Sequence, residues 1–178
     1  MDFEYKMEIT ADPEEVFAAL TNPFQIELWS GYPADMKAEE GYVFSLWEGD
    51  ITGVNLEVVP GKLLVQEWFF GEQEKQSIVR ITLKKEGART LVGLTHTHIP
   101  EDVYEEITGG WKEYYLEAIK GMLKCIDAGS DDFDRLAQYF DYLAFSDFGP
   151  FPAFRFAITN HFSIFHQCFC HCPVFGNL

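Results

Sequence analysis

The chain is short of positive charge, has no long apolar run, and carries a single cysteine ahead of its last quarter. Lys and Arg number 13 against 29 Asp and Glu, a formal net charge of -16 over 178 residues. With no Lys/Arg run to interrupt it, that balance repels a phosphate backbone and an anionic membrane surface alike. A bilayer-spanning helix needs roughly 18 or more uncharged apolar residues in succession, and no such stretch occurs. The N-terminus, MDFEYKMEIT, interleaves charged and apolar residues and lacks the apolar core of a signal peptide. Cys125 stands alone, while Cys168, Cys170 and Cys172 crowd the C-terminus, unlike the dispersed pattern of a disulfide-stapled secreted domain. The sequence also lacks a Ser/His/Asp set, a paired-carboxylate signature and a glycine-rich phosphate loop. Together these absences predict a cytoplasmic protein with no nucleic-acid partner, no membrane span and no cofactor.

What remains is a chain of 47% hydrophobic content, enough for a real core. Its composition shifts near DAGSD, residues 127–131: six of the 17 phenylalanines precede this point and eleven follow it. The expected organisation is one globular domain over 1–126 and a Phe-rich extension over 127–178.

In the first region FEYKMEIT alternates as a strand does. TADPEEVFAALTNP opens a helix, with Pro13 in its first turn, Asp12 or Thr10 as cap, and Val16, Phe17 and Leu20 as its apolar stripe. PFQIELW predicts a second short helix, stopped by Ser30 and Gly31. Five period-2 segments follow, YVFSLW, ITGVNLEVV, LLVQEWFF, SIVRITLKK and TLVGLTHTHI, separated by turn residues as an antiparallel meander requires. GGWKEYYLEAIKGMLKCI then repeats Trp111, Tyr115, Ala118, Met122 and Cys125 at helical spacing, with Lys112, Glu113, Glu117, Lys120 and Lys124 opposite. The predicted fold class is α+β: a curved antiparallel sheet of about six strands around a long C-terminal helix, with two short helices after the first strand. The first strand is expected at a sheet edge.

Four blocks, VFAALTNPFQIELWSG, GYVFSLWEGDITGVNLEVVPGKLLVQEW, TLVGLTHTHIP and GGWKEYYLEAIKGML, resemble in order and spacing the domain found in activators of heat-shock protein 90 ATPase. That family is a branch of the START-like, birch-pollen-allergen-like helix-grip superfamily. The resemblance covers residues 5 to 124 and implies a helix-grip fold. Eukaryotic co-chaperones of the family carry this domain behind an N-terminal domain that also binds the chaperone. This chain starts at the first strand, so the expectation is that such a partner domain is missing. Single-domain relatives in the superfamily mostly bind apolar small molecules between sheet and helix, and a minority catalyse cyclisation or dehydration there.

The alternation assigns a face to each candidate site residue. On the last strand Val92, Leu94, His96 and His98 share a face that starts apolar and is expected to look toward the helix. Phe44, Leu46, Val54, Leu56, Val79 and Ile81 are the expected wall from the other strands. Trp111, Tyr115 and Met122 come from the helix, and Trp29 and Trp68 are expected at the cavity rim. Apolar walls with few polar groups suit a small hydrophobic ligand, though the same pattern builds an ordinary core. For His96 and His98 a hydrogen-bonded structural role, a polar contact to a ligand and acid/base chemistry all remain open. The expected function is non-enzymatic binding of a small apolar molecule. The alternatives are a co-chaperone module for a heat-shock-protein-90-type ATPase and a cyclase- or dehydratase-type enzyme.

In the extension, Phe133, Leu136, Phe140 and Leu143 make one helical stripe, with Ser130 or Asp131 as cap. His166, Cys168, Cys170, His171 and Cys172 are soft ligand types, but their spacing differs from zinc knuckles and no metal is assigned.

Overall fold

A computed structural model describes residues 1–70 and 75–128; the stripe and the Cys/His cluster of the extension lie outside the described residues. The order is β1 (Phe3–Ile9), α1 (Pro13–Thr21), α2 (Pro23–Ser30), β2 (Val43–Leu46), β3 (Ile51–Val59), β4 (Leu63–Trp68), β5 (Ser77–Glu86), β6 (Arg89–Thr97), α3 (Tyr104–Gly110), and α4 (Glu117–Ala128). A π-helical segment, Trp111–Leu116, joins α3 to α4. Every strand pairing is antiparallel, in the order β1-β6-β5-β4-β3-β2. The architecture is the helix-grip α+β fold, with β1 on the edge beside β6.

Local chemistry explains the element ends. Asp12 precedes Pro13 at the N-terminus of α1, and its backbone N–H donates to Glu15 Oε2 at 2.8 Å. The Asn22 side chain takes over where α1 ends, accepting from the Phe24 and Gln25 amides to start α2. Gly31, at φ 77°, closes α2 in the left-handed conformation that glycine adopts without steric cost. The two helices are tied together by Trp29, whose indole N–H donates to the Ala19 carbonyl at 2.8 Å.

The core lies between the sheet's inner face and the helices. On β5 the inward set is Ser77, Val79, Ile81 and Leu83; on β6 it is Thr90, Val92, Leu94 and His96. On β3 the sequence expectation fails. Val54 is half-buried and Leu56 is 44% exposed, whereas Gly53 and Asn55 are buried. Gly53 pairs with Phe44, and a Cβ there would sit 2.1 Å from the Glu67 carbonyl oxygen and 2.6 Å from Phe44 Cζ, so the β4 backbone and the ring together occupy the space a side chain would need. Asn55 is retained inward because it anchors the 31–42 loop. Its Nδ2 donates to the Lys37 carbonyl at 2.7 Å, and its Oδ1 accepts from Gln66 Nε2 at 2.8 Å. Gln66 in turn accepts from the Trp68 indole at 3.1 Å. The strand register shifts between Asn55 and Glu57, a bulge that bends the end of β3.

Candidate functional site

The sheet–helix interior is dominated by aromatic rings supplied by separate elements. Trp29 comes from α2, Trp47 from the β2–β3 turn, Trp68 from β4, and Trp111 and Tyr115 from the π segment. All five are buried. Ring centroids lie 4.5 Å apart for Trp111 and Tyr115, 4.7 Å for Trp29 and Tyr115, 4.8 Å for Trp68 and Trp111, and 5.6 Å for Trp29 and Trp47. These are contact distances for offset and edge-on aromatic pairs. Trp29 and Trp68, expected at a rim, are therefore interior members of one cluster.

Trp47 reaches this cluster only because its backbone adopts φ 48°, followed by Glu48 at 56° and Gly49 at 103°. A bulky residue in this region is uncommon and carries strain of about 1–2 kcal/mol. Burial of the indole against Trp29 and Tyr115 offsets that cost.

His96 sits at the other end of the cluster, fully buried. The Trp111 indole N–H donates to its Nδ1 at 3.0 Å, and its Nε2 is 2.9 Å from Ser77 Oγ. An indole nitrogen only donates, so Nδ1 carries no proton and the ring proton is on Nε2. Nε2–H then donates to Ser77 Oγ, and the Ser77 hydroxyl in turn donates to the Thr97 carbonyl at 3.2 Å. The relay joins the π segment to β6 and β5 with every donor satisfied. Burial, with a smaller contribution from the Met1 ammonium, lowers the His96 pKa to about 3, so the imidazole is neutral at physiological pH. Both nitrogens are engaged within the protein, which leaves neither to take a substrate proton. Burial also raises the Tyr115 pKa.

His98 does not join it. The strand ends at Thr97, and His98 turns out at φ 57°, exposed, with Ile99 taking the inward place. Its amide donates to Asp2 Oδ1 at 2.9 Å and its Nδ1 donates to the Gln76 carbonyl at 2.9 Å. The expected pair of inward histidines is thus one buried and one surface residue. Of the other candidates, Phe44, Leu46, Val79, Ile81, Leu94, Trp111, Tyr115 and Met122 face the interior, while Val54 and Leu56 do not. On the helix, Leu116, Ile119 and Leu123 are buried where the expected stripe had Ala118 and Cys125; Cys125 is exposed.

The sequence reading missed Ser77, Asn55, Gln66 and Trp47. Ser77 was accessible in principle, since it precedes Val79 and Ile81 at period 2. Asn55 and Gln66 are polar residues at inward positions, which hydrophobic patterning overlooks.

This arrangement of sheet and grip helix has known counterparts. The family described as "Activator of Hsp90 ATPase homolog 1-like protein" matches residues 10–124, more than half of the chain. The chain belongs to this family. An activator of 90 kDa heat shock protein ATPase homolog from Dictyostelium discoideum is 33% identical over 118 residues, covering 65% of this chain and 31% of the relative. The human homolog 1 is 28% identical over 110 residues, covering 61% of this chain and 32% of the relative. The chain thus matches only about a third of the length of these curated relatives. The crystal structure of an HSP90 activator from Plasmodium falciparum superposes with a TM-score of 0.65 at 28% identity, over 70% of this chain and 96% of that one. Among the described residues, no helix is long and apolar enough to cross a membrane.

Proposed function

We propose that this domain works by protein–protein contact, as a co-chaperone module for an ATPase of the heat-shock-protein-90 type. The observation that carries the reading is the aromatic cluster. The inward side chains that would line a ligand cavity, Trp111, Tyr115, Trp68 and Trp29, are one another's packing partners at 4.5–4.8 Å. A ligand would have to displace rings already in contact, whereas a docking function needs only a rigid outer surface. Family membership and the description of the relatives as activators of a 90 kDa heat shock protein ATPase favour the same reading. Sedimentation of the protein mixed with a purified chaperone of this type tests it. A co-sedimenting complex is expected, and two independent boundaries at all ratios would refute it.

A second reading, binding of a small hydrophobic molecule between sheet and helix, is favoured by one observation. Trp111 and Tyr115 lie in a π-helical segment, an irregularity that recurs at functional sites. Native mass spectrometry of gently purified protein should then carry an added small-molecule mass, and thermal shifts should rise with apolar ligands. Bare protein and flat thermal shifts would remove this reading.

A further inference from the structure

The strands of the sheet divide by charge. β5, β6 and β1 carry Arg80, Lys84, Lys85, Arg89 and Lys6, whereas β2, β3 and β4 contain no lysine or arginine and only two carboxylates, Glu57 and Glu67. The outer side of that second half is apolar. Val43 pairs with Val54, Val54 with Glu67, and Glu67 with Ile78, in one row across four strands. Beside it Glu57, Val65 and Arg80 make a second row, and the Phe69 amide donates to the Thr52 carbonyl at 2.8 Å in a third. Val43 is 61% exposed, Leu56 and Phe69 are 44% exposed, and Val54 and Ile78 are half-buried. None of these five, nor Val65, belongs to the interior cluster. Val65 is buried nonetheless, flanked in register by Glu57 and Arg80, which pair with each other at 3.5 Å. Exposed apolar side chains that are contiguous and rimmed by polar groups mark a contact surface.

We propose, resting on the docking role above, that the outer face of β2, β3 and β4 is the surface presented to the partner, and that the partner offers apolar side chains ringed by Lys or Arg. Charge decides the occupant. A second copy would bring a net charge of -16 and no basic residue on the facing strands to answer Glu57 and Glu67, so association of like with like is opposed. A protein surface of opposite sign meets both the apolar centre and its acidic rim.

Sedimentation of the full chain with a purified chaperone of the heat-shock-protein-90 type tests this. Val43→Lys and Leu56→Lys should each weaken the complex about tenfold or more, by placing a cation in the apolar centre against a basic partner. Ile126→Lys makes the same change on α4, away from the sheet, and should leave the affinity within about twofold of the parent. All three positions are exposed, so urea midpoints should stay with the parent's. Added salt should weaken the parent complex more than that of a Glu57→Gln, Glu67→Gln double variant. A complex that tolerates both sheet substitutions, or is lost equally with Ile126→Lys, would overturn this surface and leave the docking role standing. Self-association of the chain that Leu56→Lys abolishes would put a second copy there and overturn it too. Independent boundaries for the unaltered chain would end both readings.

Discussion

Lowering the pH should loosen the grip of the helix on the sheet through one residue, His96. Its pKa is about 3 in the folded protein against 6.5 for a free imidazole, so below pH 6.5 the unfolded chain binds a proton that the folded chain refuses. Stability from this group is fully present above pH 6.5 and is lost as pH falls toward 3. From pH 7 to pH 5 the linkage amounts to about 2 kcal/mol, because burial disfavours the charged imidazolium, with a smaller contribution from the Met1 ammonium. Urea unfolding at both pH values, followed by tryptophan fluorescence, measures the change. The control is His96→Leu with Trp111→Phe, which removes the titrating ring and its donor together, while Ser77 keeps the Thr97 carbonyl. Surface carboxylates are common to both proteins and cancel in the difference. The double variant should lose about 2 kcal/mol less than the parent over the same range. Equal losses in the two proteins would refute the relay as drawn.

Three further outcomes follow from the packing. Gly53→Ala should cost about 2–3 kcal/mol in urea unfolding, because its methyl meets first the Glu67 carbonyl oxygen on β4 and then the Phe44 ring; a change near zero would mean that neither neighbour is fixed. Asn55→Ala should cost about 2–3 kcal/mol and speed amide exchange in the 31–42 loop, since it leaves the buried Gln66 amide and the Lys37 carbonyl without their partner. Unchanged exchange there would contradict the anchoring role. Glu48→Gly should raise stability by about 0.5–1 kcal/mol, since Glu48 is exposed at φ 56°; a loss would show that its side chain matters more than its backbone.

The strands and helices could be read from the sequence wherever burial follows regular alternation. β5 and β6 announce their inward faces through Val79, Ile81, Val92 and Leu94, and the helix ends through Asp12 and Gly31. The reading fails where another demand outweighs apolarity. On β3, Val54 and Leu56 look like the core face, yet the close approach of the Glu67 carbonyl and the Phe44 ring requires Gly53, and loop anchoring requires Asn55. His98 was placed inward by extending period 2 one residue past the strand, and a single left-handed residue reverses its direction. The π segment leaves no trace in a 3.6-residue pattern. Within it Trp111 and Tyr115 lie in ring contact at 4.5 Å. His96 could be located from sequence, but its role could not, because that depends on Ser77 and Trp111, 19 and 15 residues away.

The most direct test of the account is the ATPase rate of a heat-shock-protein-90-type chaperone titrated with the full chain. A saturable rise in the rate, unchanged when apolar small molecules are stripped from the protein beforehand, is the predicted result. A flat rate across the titration, with no complex formed, would contradict it.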